Sequence, residues 1–136
     1  MKIAGIQKTT LIDYPDKIAC TFFIFGCNFK CGYCHNPELV TGKDIINDYP
    51  IAKCLDFLKR RREYLDGVCI TGGEPLINPE IKDFLFKIKK MGYLIKIDTN
   101  GSNPNLLLEI ILKGLVDYVA MDIKSSISGY KDCKIK

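Results

Sequence analysis

The run Ile18-Ala19-Cys20-Thr21-Phe22-Phe23-Ile24-Phe25 limits what this chain can become more than any other stretch. It is continuously apolar and rich in aromatic residues, without the alternation of a surface strand, so it reads as a strand buried on both faces. Strands of that kind belong to parallel sheets, whose neighbours must be joined by crossover segments, usually helices.

The remaining sequence supplies those segments. Ile51, Cys54, Leu55 and Leu58 recur at helical spacing, and Gly67 then opens a short strand, Val68-Cys69-Ile70. Asn78 before Pro79 predicts an N-cap with proline at the first helical position; Ile81, Phe84, Leu85 and Ile88 form the buried stripe until Gly92. A third strand runs from Tyr93 to Ile97. Asn103 and Pro104 repeat the helix-start signal before Leu107, Ile110 and Ile111, with an end near Gly114 and a fourth strand from Tyr118 to Met121. Three β-α units and a final strand predict an α/β fold, a parallel (β/α) barrel or partial barrel with helices outside. In such folds the chemistry collects at the carboxyl ends of the strands. Here those ends run into a cysteine loop, Thr71-Gly72-Gly73-Glu74-Pro75, Asp98-Thr99-Asn100-Gly101 and Asp122-Ile123-Lys124.

With 136 residues and 47% hydrophobic content, the chain is expected to be one domain, 1–136, with a small core. Residues 1–17 precede the first buried strand, and Leu11-Ile12-Asp13-Tyr14-Pro15-Asp16 reads as a short hairpin or turn over one end of the sheet. The tail 125–136 has little apolar content and is expected to be mobile. A net charge of +4 does not point to nucleic acid, although Lys59-Arg60-Arg61-Arg62 is a concentrated basic block. It closes a predicted helix, where cations suit the dipole; a docking patch for an acidic electron donor is the alternative. The apolar segments are shorter than a bilayer span, and MKIAGIQKTT lacks the features of a signal peptide, so no membrane partner is expected and the location is read as cytoplasmic. Seven cysteines, three of them clustered, suit a reducing compartment and metal ligation better than disulfides. Cys20, Cys54, Cys69 and Cys133 are read as structural or incidental.

Cys27, Cys31 and Cys34, in CNFKCGYC, are the candidate metal ligands. A cubane iron-sulfur cluster normally takes four thiolates, so three leave one iron open. Gly26 and Gly32 ease close approach of the loop backbone. The alternative is zinc with His35 as fourth ligand. Structural zinc sites usually draw ligand pairs from separated turns, however, and His35 directly follows Cys34, so their side chains diverge. His35 is therefore read as a packing or hydrogen-bonding residue. Gly72 and Gly73 remove side chains where a ligand can meet the backbone, and Glu74 adds an acceptor for a cationic amine. Asp98, Thr99, Asn100, Asp122 and Lys124 offer the donors and acceptors that a ribose and an amino-acid carboxylate require. The Tyr33 ring either flanks a purine or covers the cluster. A phosphate-loop reading of TGGEP fails, because the segment has no lysine and Glu74 would repel an anion.

CxxxCxxC with an aromatic before its last cysteine, then GGEP, DTNG and MDIK at successive strand ends, resembles the radical S-adenosylmethionine (SAM) superfamily. More narrowly, LIDYPDKIA, GCNFKCGYCHNPELV, DTNGSNP and GLVDYVAMDIK are similar to the anaerobic ribonucleoside-triphosphate reductase activating proteins, a branch of the glycyl-radical-enzyme activases. The resemblance implies a [4Fe-4S] cluster on Cys27, Cys31 and Cys34. It implies SAM at the open iron, with its amine held by Gly72, Gly73 and Glu74. Asp98, Thr99, Asp122 and Lys124 would meet its ribose or carboxylate ends, and Tyr33 its adenine. It implies an enzyme that reductively cleaves SAM to a 5′-deoxyadenosyl radical, and that radical takes a hydrogen from a glycine of the reductase. The implied partners are that glycyl-radical enzyme and an electron donor such as flavodoxin or ferredoxin.

The chain departs from the family in two places. Asp16 stands where the resemblance implies glycine. Four strands are read where the family core has six, so the barrel is expected to be truncated after the fourth strand, as in a fragment of a longer gene product or, alternatively, a shortened member that needs a partner to complete the site. The alternatives are a radical SAM enzyme acting on a small molecule or peptide, and a non-catalytic iron-sulfur or zinc binding module.

Overall fold

The apolar run at 18–25 becomes β2 (Ala19–Ile24), in the interior of a five-stranded sheet. The computed structural model describes residues 1–41 and 48–133. β3 (Gly67–Gly72), β4 (Leu94–Thr99) and β5 (Tyr118–Met121) follow in order, each parallel to its predecessor. The helices are α1 (Glu38–Thr41), α2 (Ile51–Arg60), α3 (Ile81–Lys90) and α4 (Pro104–Leu112), with 3₁₀ turns at Pro75–Ile77 and Gly129–Asp132. The β-α order expected from the periodicity is the observed one.

The fifth strand is β1 (Ile3–Thr10), antiparallel to β2 at the sheet edge. The segment before the first buried strand is therefore a full hairpin arm as well as a turn. Its sequence IAGIQKTT hides this, because Gln7, Lys8 and Thr9 are exposed and Gly5 interrupts the apolar pattern. The other departure is the start of α3. Asn78 does not cap it: its amide donates to the Pro75 carbonyl at 3.4 Å, and the helix begins at Ile81. The 3₁₀ turn at 75–77 uses Asn78 first. Asn103 does cap α4, with its Oδ1 accepting from Leu106 N–H at 3.3 Å and Pro104 in the first turn.

The two sheet faces differ in chemistry. Cys20, Phe22, Ile24, Val68, Ile70, Ile95 and Ile97 form the core with Cys54 and Leu58 of α2, the α3 stripe and Ile110 of α4. Phe22 and Phe84 meet with ring centroids 5.8 Å apart. On the opposite face one register row runs Thr21, Cys69, Lys96, Tyr118, and Asp98 stands one pleat nearer the carboxyl ends. The turn at 11–18 covers part of that polar face. Thr21 Oγ1 donates to Asp13 Oδ2 at 2.5 Å, and buried Tyr14 packs on Tyr118 with centroids 6.0 Å apart.

The basic block lies beside the amino ends of the strands, since α2 leads into β3. Arg61 donates to Thr9 Oγ1 at 3.0 Å, and Arg62 donates to the carbonyls of Met91 and Gly92 at 2.7 and 3.0 Å. The Arg62 bonds brace the α3–β4 connection, and the Arg61 bond ties the end of α2 to β1. The strand length separates the block from the carboxyl ends by ~17 Å.

Candidate metal centre and cofactor pocket

The carboxyl ends of β2 to β5 surround a cavity of about 380 Å³. Cys27, Cys31 and Cys34 line one side; Gly72, Gly73, Asp98, Thr99, Asp122 and Lys124 line the rest, with Tyr33 at the rim. Of the residues singled out in the sequence as a site, Glu74 alone is missing from the lining. Phe29, Asn36 and Val40 are lining residues that motif reading passed over.

Backbone packing sets the shape. Gly73 N–H donates to Ile24 O at 2.9 Å and Glu74 N–H to Gly26 O at 2.7 Å, stitching the end of β3 to the start of the cysteine loop. A Cβ on Gly73 would stand 2.0 Å from Gly26 O, and one on Gly72, whose φ is +124°, would stand 2.3 Å from Ile24 O. The glycine pair thus has a structural cause beside any ligand: only bare backbone lets these two chains touch.

Glu74 is 1% exposed and turned inward. Its Oε1 accepts from Leu76 N–H at 3.0 Å and Thr99 Oγ1 at 2.7 Å, and its Oε2 from Asn100 N–H at 2.6 Å. Burial raises its pKa, against the pull of those three donors. The carboxylate ties the β3 loop to the β4 loop and is not among the residues lining the cavity.

The cavity carboxylates that remain are also partnered. Lys96, 8% exposed, pairs with Asp98, and Cys69 Sγ lies 3.6 Å from Asp98 Oδ2 and 3.7 Å from Lys96 Nζ. Burial opposes the charge on Lys96, but Asp98 and Cys69 outweigh it and raise its pKa. Cys69 itself is pushed up to about 12 by burial and by Asp98, so it stays a thiol. Asp122 Oδ2 accepts from Lys124 Nζ at 2.8 Å. Two acids and two cations leave the polar wall close to neutral, a surface suited to a zwitterion or to hydroxyls.

The described part of the tail, 125–133, folds over the cysteine loop. Tyr130 meets Phe29 edge-on at 5.7 Å, Lys30 N–H donates to Cys133 O at 3.0 Å, and the Tyr33 hydroxyl donates to the Lys124 carbonyl. The last three residues lie outside the described set. Tyr33 is held by its hydroxyl while its ring is 61% exposed. His35 is exposed at the cavity, not packed.

Zinc and an iron-sulfur cluster ask for different donor sets. A zinc ion needs four ligands converging at ~2.0–2.3 Å. Among the described residues no group of three or more His, Cys, Asp or Glu is drawn together closely enough to hold one ion. Three thiols around a cavity fit the wider reach of a multi-iron cluster, and all are free. Burial raises the pKa of Cys27, partly offset by Phe29 N–H donating to its sulfur at 3.3 Å.

Residues 21–127 match the family model described as the Radical SAM superfamily. A protein of Methanocaldococcus jannaschii, provisionally named a glycyl-radical enzyme activating enzyme, is 38% identical over 96% of this chain and 53% of its own length. The pyruvate formate-lyase-activating enzyme of Clostridium pasteurianum is 34% identical over 96% of this chain and 56% of its own. The chain spans about half the length of these curated relatives. Among solved structures, that of QueE from Escherichia coli aligns with a TM-score of 0.57 over 74% of this chain and 52% of that one, at 21% identity, which is a likeness of fold. The strand-end cavity, its three thiols and a family match over most of the sequence agree: the chain belongs to the radical SAM superfamily.

Proposed function

We propose that this chain carries the cluster-binding and SAM-binding region of a glycyl-radical-enzyme activase. The observation that supports this most is the placement of Cys27, Cys31 and Cys34 on one side of a cavity whose other walls are the three polar strand ends. When bound, a [4Fe-4S] cluster there would supply one electron to SAM, whose sulfonium bond breaks to methionine and a 5′-deoxyadenosyl radical that takes a hydrogen atom from the substrate.

The residues of the chain bind, orient and shield. Cys27, Cys31 and Cys34 would hold the cluster through their thiolates. Backbone carbonyls along Thr71, Gly72 and Gly73 take the methionine amine, since three internal donors fill most of the acceptor capacity of Glu74. Lys124 meets the carboxylate, and Asp98 and Thr99 accept and donate to ribose hydroxyls. Tyr33, pinned at its hydroxyl, gives the adenine a ring to lie against. Phe29 and Val40 exclude water from the sulfonium.

The partner is proposed to be an anaerobic ribonucleoside-triphosphate reductase, which the flanking words LIDYPDKIA and GLVDYVAMDIK favour over other glycyl-radical enzymes. A one-electron carrier of the flavodoxin or ferredoxin kind would reduce the cluster from the side of exposed Cys34, because the basic block is a strand length away. Among the described residues no helix is long and apolar enough to cross a membrane, and seven free thiols favour a reducing, cytoplasmic setting.

The test is to mix the anaerobically loaded chain with SAM, a reductant and the reductase. A glycyl radical in the electron paramagnetic resonance (EPR) spectrum of the reductase, with 5′-deoxyadenosine released, is the expected outcome. Deoxyadenosine without a protein radical, or a radical on a small molecule or peptide, would point to another substrate. A colourless protein holding one zinc ion would refute the cofactor reading itself.

A further inference from the structure

Asn100 joins the β4 loop to the cysteine loop. Its backbone N–H is fixed on Glu74 Oε2 at 2.6 Å, and the residue is 4% exposed. Its side chain is committed on both ends. Oδ1 accepts from Ser102 N–H at 2.9 Å, while Nδ2 donates to Asn28 Oδ1 at 3.0 Å and lies 3.9 Å from Cys27 Sγ. An amide nitrogen carries two hydrogens, so both directions are served together. Asn28, next to Cys27 in the chain, is held in turn by its donation to Ser102 Oγ at 2.8 Å. The buried Glu74 strut keeps the amide from withdrawing toward solvent.

We propose that Asn100 is a positioning residue for the metal centre, directing an N–H···S hydrogen bond at the Cys27 thiolate and so raising the reduction potential of the cluster held there. The inference rests on the cofactor reading above. Reduction adds negative charge that spreads onto the ligand sulfurs, and a fixed donor at one of them stabilises the reduced form more than the oxidised one. The donor therefore eases electron uptake by a centre that must then pass the electron on.

The test uses the full chain, loaded anaerobically, with N100A and N100L as donor deletions and S102A as a control. S102A releases Asn28 from Ser102 but leaves the amide beside Cys27. Iron and sulfide content, thermal unfolding and an EPR-monitored redox titration are read for each. The expected result is full loading in all four proteins. In both Asn100 variants the reduction equilibrium should shift about tenfold toward the oxidised form, about 59 mV for one electron, and S102A should titrate with the wild type. Wild-type titration of loaded N100A and N100L would overturn the inference, as would an equal shift in S102A, which would mark general loosening of the loop. A wild-type chain that takes up no iron-sulfur cluster would instead overturn the cofactor reading, and the inference with it.

Discussion

The carboxylate of Glu74 receives hydrogen bonds from Leu76, Thr99 and Asn100, and all three donors lose their partner together if it is removed. E74A is expected to cost ~1–3 kcal/mol or more, because donors left unpaired in the interior bear their full desolvation penalty. A sharper expectation comes from its raised pKa. A carboxyl whose folded pKa lies above its unfolded value binds more protons when folded. Its contribution is thus full below the unfolded pKa and lost as pH rises through the folded one. Thermal unfolding followed upward from about pH 4.5 should show this loss in the wild type and a flatter profile in E74Q; parallel profiles would contradict it. Lys96 has the same sign at the other end of the scale. Its raised pKa makes its contribution full below pH 10.5 and lost above it as the folded pKa is passed, so K96M should remove that alkaline loss and leave Asp98 unpaired at a cost of ~1–3 kcal/mol. The residue scale is also where sequence reading falls shortest. GGE marks a strand end, but which way the glutamate points is set by the backbone path of Gly72 and Gly73, and no local pattern encodes that. Lys96 looks like a polar break in YLIKID until the register sets it between Cys69 and Tyr118.

Among the elements, the β1–β2 hairpin and the β3 loop carry the local strain. Asp16 adopts φ +57°, the left-handed conformation that the family resemblance assigns to glycine. That conformation costs an L-residue ~1–2 kcal/mol, less for Asp, and glycine brings back ~0.5–1 kcal/mol of backbone entropy. D16G should therefore stabilise the hairpin by only ~0.5 kcal/mol, read as a small rise in Tm; a clear fall would mean that the Asp16 side chain holds the turn. G73A acts in the opposite direction. Its methyl group would stand 2.0 Å from Gly26 O, so the β3 end and the cysteine loop must part, at ~1–3 kcal/mol or more and with loss of metal uptake. β2 to β5 and the three longer helices were legible because their apolar spacing answers to one buried face. β1 was not, since an edge strand with exposed Gln7, Lys8 and Thr9 needs no such pattern.

For the molecule as a whole, the β-α alternation implies parallel strands with their carboxyl ends on one side, and the four parallel strands bring distant words into one cavity. Cys27, Gly72, Asp98 and Asp122 are far apart in sequence and share its walls. The same topology sets the basic block at the opposite end, where it braces α3 and β4. The covering of the cysteine loop by residues 125–133 had no sequence signal, because Tyr130 and Cys133 act through single contacts to Phe29 and Lys30. The central claim is that three thiolates hold a cluster with one iron left for SAM. The most direct measurement is the EPR spectrum of the anaerobically loaded, reduced chain before and after SAM is added. A [4Fe-4S] signal that changes shape on addition of SAM is expected, and C31A should lose the signal while keeping its helices by circular dichroism. A cluster signal indifferent to SAM, or bound zinc with no cluster, would contradict the account.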